Sequence, residues 1–407
     1  MLYSEERHEA CAPREWDAGC AASMIATIVA DTESRFSPDT FWPMHPLDAD
    51  DGDTRPAYPL YHGAAGVIWA LHYLRDVGAA RLKRSYGPHL YAVLSLDREW
   101  LAAEKFDAPA AYLMGETSIL MQLYGDAASP DIAEPLAERI AALIERNETN
   151  PAREVMWGAP GTMLAALFMH ERTGQSRWGE LFRRSARTLW SQLLWSSEHE
   201  CFYWTQDLYG ASHTFIDAVH GFVGTASPLI RGRHLLDERE WAEWQGCIAN
   251  TVRRCATIEH GLVNWRSRLT QPPGRDASML MQFCHGAPGF VVTLADFPGD
   301  ALDDLLLAGG EATWCAGPLT KGSNVCHGTG GNGYAFLKLY ERTGDAMWLA
   351  RARQFAMHAI EQTQAHAARY GQMRYSLWTG DPGFAVFLWD CINARARFPT
   401  LDAFFTR

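Results

Sequence analysis

The sequence predicts an all-α fold, an α/α toroid in which seven helical hairpins close into a ring of inner and outer helices. Two observations carry that prediction. A short glycine-bearing unit recurs along the chain, and apolar residues behind it fall at helical intervals while strand-like alternation is scarce.

The unit is a polar or aromatic residue, Gly, two variable residues, Gly, then an apolar run. Its copies are "YHGAAGVIWALHYL" at Tyr61, "VMWGAPGTMLAALFMH" at Val155, "VHGFVGTASPLI" at Val219, "CHGAPGFVVTL" at Cys284, "CHGTGGNGYAFLKLY" at Cys326 and "WTGDPGFAVFLWDCI" at Trp378. A degenerate copy, "YLMGETSILMQLYG" at Tyr112, lacks the second glycine. The seven units are spaced by roughly 40 to 65 residues, room for two ordinary helices of about 11–12 residues each plus connections.

Each element follows from local pattern. Behind the first glycine pair, Val67, Leu71 and Leu74 fall at i, i+4 and i+7, one face of an inner helix. Outer helices are predicted between copies, as in "WGELFRRSARTLWSQLL" and "AMWLARARQFAMHAIEQ". "ERTG" at Glu171 and Glu341 supplies a helix stop through its glycine. If every inner helix begins at a glycine turn, the turns converge on one mouth, where helix N-termini present unpaired N–H groups. Residues 1–55 fall outside the repeat and read as an irregular, Pro- and Asp-rich lead-in, with 56–407 as one toroidal domain.

Composition narrows the function. The formal charge of −12 argues against nucleic acid and anionic membranes as partners. The N-terminus "MLYSEERHEA" lacks the basic and apolar regions of a secretory signal. No run approaches the ~18 apolar residues of a membrane span. Nine cysteines, an odd number without framework spacing, read as reduced thiols of a cytoplasmic protein.

Equivalent positions of a repeat face one another across the mouth. Immediately before the first glycine stand His62, Trp157, His220, His285, His327 and Thr379, with Cys284 and Cys326 one position earlier in their copies. Two thiolates and one imidazole would leave a tetrahedral Zn²⁺ with one open position for water or a substrate thiol. Spacing alone leaves a second reading standing: Cys284 and Cys326 as small buried hydrophobes, and the histidines as caps of the glycine turns. Cys315, outside the repeat frame, is a rival ligand.

The paired "CHGAPG" and "CHGTGGNGY" motifs, "HGFVG" and the closing "SLWTGDPGFAVFLWD" resemble the lanthionine synthetase C-like family, from about His62 to Leu388. That resemblance implies a seven-hairpin α/α toroid with a central zinc. Bacterial members add a peptide cysteine to dehydroalanine or dehydrobutyrine and so close thioether rings in lanthipeptides; eukaryotic relatives add glutathione to such residues in proteins. It further implies Cys284, Cys326 and His327 as zinc ligands, His220 as catalytic histidine, Glu154 as the acidic residue beside it, and Lys321 as a lysine near glutathione. Leu280 stands where many ring-forming members carry Arg, which places the local motifs nearer the eukaryotic type; Arg275 is the nearby candidate to replace that Arg.

The chemistry expected is thiol addition to a dehydroamino acid in a peptide or protein, with glutathione or a peptide cysteine as donor. His220, with an ordinary pKa near working pH, suits the acid that protonates the α-carbon. A zinc- or glutathione-binding protein without turnover is the second expectation. A glycoside-acting toroid needs two carboxylates across the mouth, and within the glycine copies only Glu116 and Asp381 are acidic.

Overall fold

The computed structural model describes residues 1–49, 54–104, 108–270 and 279–406. Arg275 lies outside these. Among the described residues there are fourteen α-helices and six short strands. The first half of the chain carries α1 (Ala18–Ser34), α2 (Ala64–Asp76), α3 (Leu90–Ala103), α4 (Glu116–Gly125), α5 (Pro130–Asn147), α6 (Ala159–Thr173) and α7 (Ser176–Ser191). Strands β1 (Leu194–Ser196), β2 (Cys201–Tyr203), β3 (Gln206–Leu208) and β4 (Ala211–His213) then lead to α8 (Phe222–Arg231) and α9 (Glu238–Arg254). After β5 (Ala256–Glu259) and β6 (Leu262–Trp265) come α10 (Ala287–Leu294), α11 (Asp303–Ala316), α12 (Thr329–Thr343), α13 (Ala346–Tyr370) and α14 (Asp381–Asn393).

The seven helices that follow the glycine turns form the inner layer. In order, α2, α4, α6, α8, α10, α12 and α14 each pack on the next, and α14 packs back on α2, so the ring is closed. Outer helices α3, α5, α7, α9, α11 and α13 pack against them, and α1 covers α14. The layers differ in sequence as their surroundings require. Every residue of α10 is buried, whereas α9 buries Trp244, Cys247, Ile248, Thr251 and Val252, one helical face. The solvent face of α9 begins with a capping box between Asp237 and Glu240. The "ERTG" stops work as expected: Gly174 and Gly344 are left-handed caps of α6 and α12, each amide donating to a carbonyl four residues back at 2.8 Å.

All seven inner helices take the first glycine of their unit as N-cap. The second glycine is fixed by space. A Cβ on Gly289 would lie 1.9 Å from the Phe283 carbonyl oxygen, and one on Gly383 would lie 1.8 Å from that of Leu377. In all six complete copies the obstruction is the carbonyl six residues upstream. Gly289→Ala should therefore lower stability by about 3 kcal/mol. Gly246→Ala is the matched control: nothing lies within 4 Å of its added methyl in α9, so it should gain about 0.5–1 kcal/mol. Thermal melting of the two variants checks both signs.

Two expectations need correction. The fold is mostly helical rather than all-α: β1–β2, β3–β4 and β5–β6 are antiparallel hairpins. Their strands are three or four residues long, too short for alternation to register. The turns Tyr209–Gly210 and His260–Gly261 have positive φ at both residues, so one "HG" that looks like the repeat is instead a hairpin tip. The 1–55 lead-in is also less irregular than its composition suggests. It holds the 17-residue α1, capped by Asp17, which accepts from Cys20 N at 3.0 Å.

The interior of the ring is filled by the chain itself. Phe398 stacks on Phe283 at 4.3 Å and packs against Tyr334 and Trp378. Thr400 O accepts from the Tyr112 hydroxyl at 2.7 Å, and Leu401 O from Arg231 at 2.7 Å. Phe404 lies among Trp69, Tyr112 and Phe168. The buried Lys338 ammonium binds Asp402 and Asp296, each at 3.1 Å. These contacts reach all seven units, which only a segment inside the ring can do. No helix among the described residues is long and apolar enough to cross a membrane.

Candidate metal centre

The glycine turns are tied by backbone hydrogen bonds at the residue two before each first glycine, or three before it in the case of Val155. Tyr61 N donates to Leu113 O (3.0 Å), Leu113 N to Met156 O (3.3 Å) and Val155 N to Val219 O (3.3 Å). Cys284 N donates to Cys326 O (3.0 Å), Cys326 N to Trp378 O (2.9 Å), and Trp378 N back to Tyr61 O (3.0 Å). The junction between the turns of Val219 and Cys284 is spanned by side chains, with His285 Nδ1 2.6 Å from Asp217 Oδ2. The hub is thus an annulus of turn residues, and Cys284 and Cys326 are neighbours in it.

A polar residue three before the rim position shapes several turns. Asp217 Oδ1 accepts from His220 N (2.9 Å), Asn324 Oδ1 from His327 N (2.9 Å), and Glu154 Oε1 from Trp157 N (2.5 Å). These bonds fix the rim backbone before any ligand arrives.

The sulfurs of Cys284 and Cys326 and a ring nitrogen of His327 lie within 4.8 Å of one another. Both cysteines are buried. Tetrahedral zinc with thiolate and imidazole ligands holds its donor atoms roughly 3.3–3.8 Å apart, so this donor set fits that ion with small inward movement. The electrostatics agree. Burial pushes the Cys284 thiol well up, while hydrogen bonds from Cys284 and His327 hold Cys326 well down against its own burial. A cation held between the two sulfurs would favour their charged forms. Gln282 Nε2 donates to Cys284 Sγ at 2.8 Å, and the Tyr61 hydroxyl lies 2.9 Å from Cys326 Sγ; such partners orient sulfur ligands.

His220 stands at the same mouth, its Nδ1 2.8 Å from Glu154 Oε2. Glu154 is fully buried, and its carboxylate also accepts from the backbone of Met156 and Trp157. Burial opposes the imidazolium, but Glu154 and then Asp217 outweigh it, so the His220 pKa is raised.

The structure brings five of the six candidate residues into two clusters: Cys284, Cys326 and His327 in one, His220 and Glu154 in the other. Lys321 joins neither. It is exposed and lines a small cavity with His45, Arg374, Thr379 and Asp381. The rival Cys315 is exposed on α11, outside the cluster. Among the described residues all nine cysteines are free thiols. Trp378 packs on Tyr61 and Phe283 as wall. Glu116 pairs with Arg98 and Arg139, and Asp381 accepts from Arg374 N and Ser323.

Three rim residues escape the sequence reading. Asp217 carries a signal, since it precedes His220 by the spacing that separates Glu154 from Trp157. Asp48 carries none: this lead-in residue pairs with Arg374 and accepts from Thr379 Oγ1 at 3.0 Å, covering one edge of the mouth. Tyr209 comes from the β3–β4 tip.

A closed double ring of helices with a Cys-Cys-His cluster at its hub defines a helical toroid built around a prospective metal centre. The family described as lanthionine synthetase C-like protein matches residues 57–403, and the chain belongs to that family. Glutathione S-transferase LANCL1 of Danio rerio is 35% identical over 170 residues, covering 39% of this chain and 41% of that protein. LanC-like protein GCL1 of Arabidopsis thaliana is 27% identical over 261 residues, covering 60% and 57%. The chain thus spans about half the length of these curated relatives. The solved structure of nisin cyclase shares the fold at a TM-score of 0.56 and 14% identity, over 82% of this chain and 88% of that one.

Proposed function

We propose that the protein is a zinc-dependent enzyme that adds a thiol to dehydroalanine or dehydrobutyrine residues, forming a thioether. The observation that carries the proposal is the pairing of two clusters at one mouth: Cys284, Cys326 and His327 beside His220–Glu154. Cys284, Cys326 and His327 would hold the zinc at the hub of a seven-hairpin α/α toroid. Bound there, zinc would lower the pKa of a thiol that takes its open position.

The chain's own groups do the rest. The substrate thiolate attacks the β-carbon, and negative charge develops on the carbonyl side. His220, whose pKa Glu154 helps to raise, delivers its proton to the α-carbon. Glu154 orients the ring and does not itself transfer a proton. Asp217 places the His220 backbone and ties His285 to the neighbouring turn.

Glutathione is the favoured donor. Leu280 replaces the Arg of many ring-forming members, a matched relative is named a glutathione S-transferase, and Lys321 offers an ammonium beside the rim for a carboxylate. The test is incubation of metal-quantified protein with glutathione and a dehydroalanine peptide, read by mass. A peptide heavier by one glutathione is expected. Stoichiometric zinc without an adduct would redirect the assignment to a peptide-cysteine cyclase or a binding protein, and absence of zinc binding would sink the mechanism.

The pH profile has a definite sign. A histidine with a raised pKa holds its proton below that value and loses it as pH rises, so the rate should fall on the alkaline side. Glu154→Gln removes the carboxylate that raises His220, and the falling limb should move about one unit toward acid. A limb that stays in place would assign it to another group.

A further inference from the structure

The tip of the β3–β4 hairpin is a two-residue turn, Tyr209–Gly210, with φ of 54° and 76°. Such turns favour Asn-Gly or Asp-Gly, and a bulky side chain is disfavoured in this backbone region. Burial does not explain the choice either, because Tyr209 is 64% exposed. Its position is explained by its hydroxyl. The oxygen accepts from Trp157 Nε1 at 3.2 Å, and the nearest acceptor for its own hydrogen is Met156 Sδ at 3.9 Å, a weak one. Tyr209 therefore brings an anchored, nearly unused donor to the rim.

That rim is the one where His220 works. The Tyr209 ring stands edge-on to the His220 ring, centroids 6.2 Å apart. Among the described residues, the rings against His220 are those of Tyr209 and Phe215, and of these only Tyr209 carries a donor. The ring is exposed, but its hydroxyl end is enclosed against Trp157 and Met156; that local burial pushes the phenol pKa up, against the Trp157 bond, so it remains protonated at neutral pH.

We propose that Tyr209 is a catalytic residue whose phenol donates a hydrogen bond to the substrate carbonyl oxygen as that oxygen becomes an enolate. The inference rests on the thiol-addition reading. The α-carbon and the carbonyl oxygen are two bonds apart, so the acid for one and the donor for the other must be neighbours, as His220 and Tyr209 are. In the step, the carbon–sulfur bond forms at the β-carbon, the alkene π pair becomes a double bond between the α-carbon and the carbonyl carbon, and the carbonyl π pair moves onto its oxygen. The imidazolium proton then passes to the α-carbon, the carbonyl re-forms, and His220 regains the proton the thiol lost. The phenol proton is never transferred. A preorganised donor of this kind acts where charge develops and not on the ground state.

The test compares wild type, Tyr209→Phe and Trp157→Phe with glutathione and a dehydroalanine peptide. Tyr209→Phe keeps the ring and the turn and removes the hydroxyl. It should lower kcat on the order of 10²-fold, with KM, zinc content and melting temperature unchanged. Trp157→Phe removes the anchor of the phenol and should lower kcat less, in the same direction. A loss confined to KM, or a Tyr209→Phe kcat equal to that of an active wild type, overturns this inference alone. No adduct from the wild type overturns the thiol-addition reading and this inference with it.

Discussion

Cys326→Ala should leave a folded protein that holds less than about a tenth of an equivalent of zinc, since two ligands no longer make a site. Thioether formation should fall at least about 10³-fold, because a thiol that keeps its proton at neutral pH is a poor nucleophile. The fold should survive. Cys326 contributes its backbone to the hub, N–H to Trp378 and C=O from Cys284, and alanine keeps both bonds. Metal analysis, circular dichroism and adduct mass on one preparation separate lost metal from lost fold. Cys315→Ala, on the exposed rival cysteine, should change none of the three. A Cys326→Ala protein that retains a full equivalent of zinc would remove Cys326 from the ligand set.

His220→Gln should bind zinc normally and lose about 10²–10⁴-fold in addition rate, the usual worth of a positioned general acid. Glutamine is the informative replacement. Glu154 is buried and accepts from His220, and deleting that donor outright leaves a carboxylate short of a partner at a cost of about 1–3 kcal/mol. A side-chain amide can still donate to Glu154 but cannot deliver a proton at working pH. The mass assay should then show glutathione still bound and the peptide unmodified. Turnover within a few-fold of wild type would move the acid elsewhere on the rim.

Much of the fold was legible because one local rule repeats. In the six complete units the second glycine abuts a carbonyl six residues upstream, an obstruction that demands the same residue each time. The two cysteines shared a frame position, which predicted that they would meet at the hub. What was not legible depends on segments that approach only after the ring closes. His285 and Asp217 are 68 residues apart in sequence, and Arg374 and Asp48 are 326 apart. No spacing announces such pairs. Tyr209 was hidden for a related reason: a hairpin of three-residue strands leaves too little alternation to be noticed, and an exposed aromatic at its tip looks like ornament until Trp157 is placed beside it.

The Phe398–Phe404 segment carries a consequence for biogenesis. It lies inside a ring whose seven units all precede it in the chain, and the contact of α14 with α2 joins the ring's two ends. During synthesis the early hairpins emerge and pack on their neighbours while the interior still lacks its filling. The hub bonds from Cys326 to Trp378 and from Trp378 to Tyr61 cannot form until the seventh turn has left the ribosome. A nascent chain arrested before Trp378 would lack both bonds, leaving the Cys326 turn at the open end of an unclosed ring.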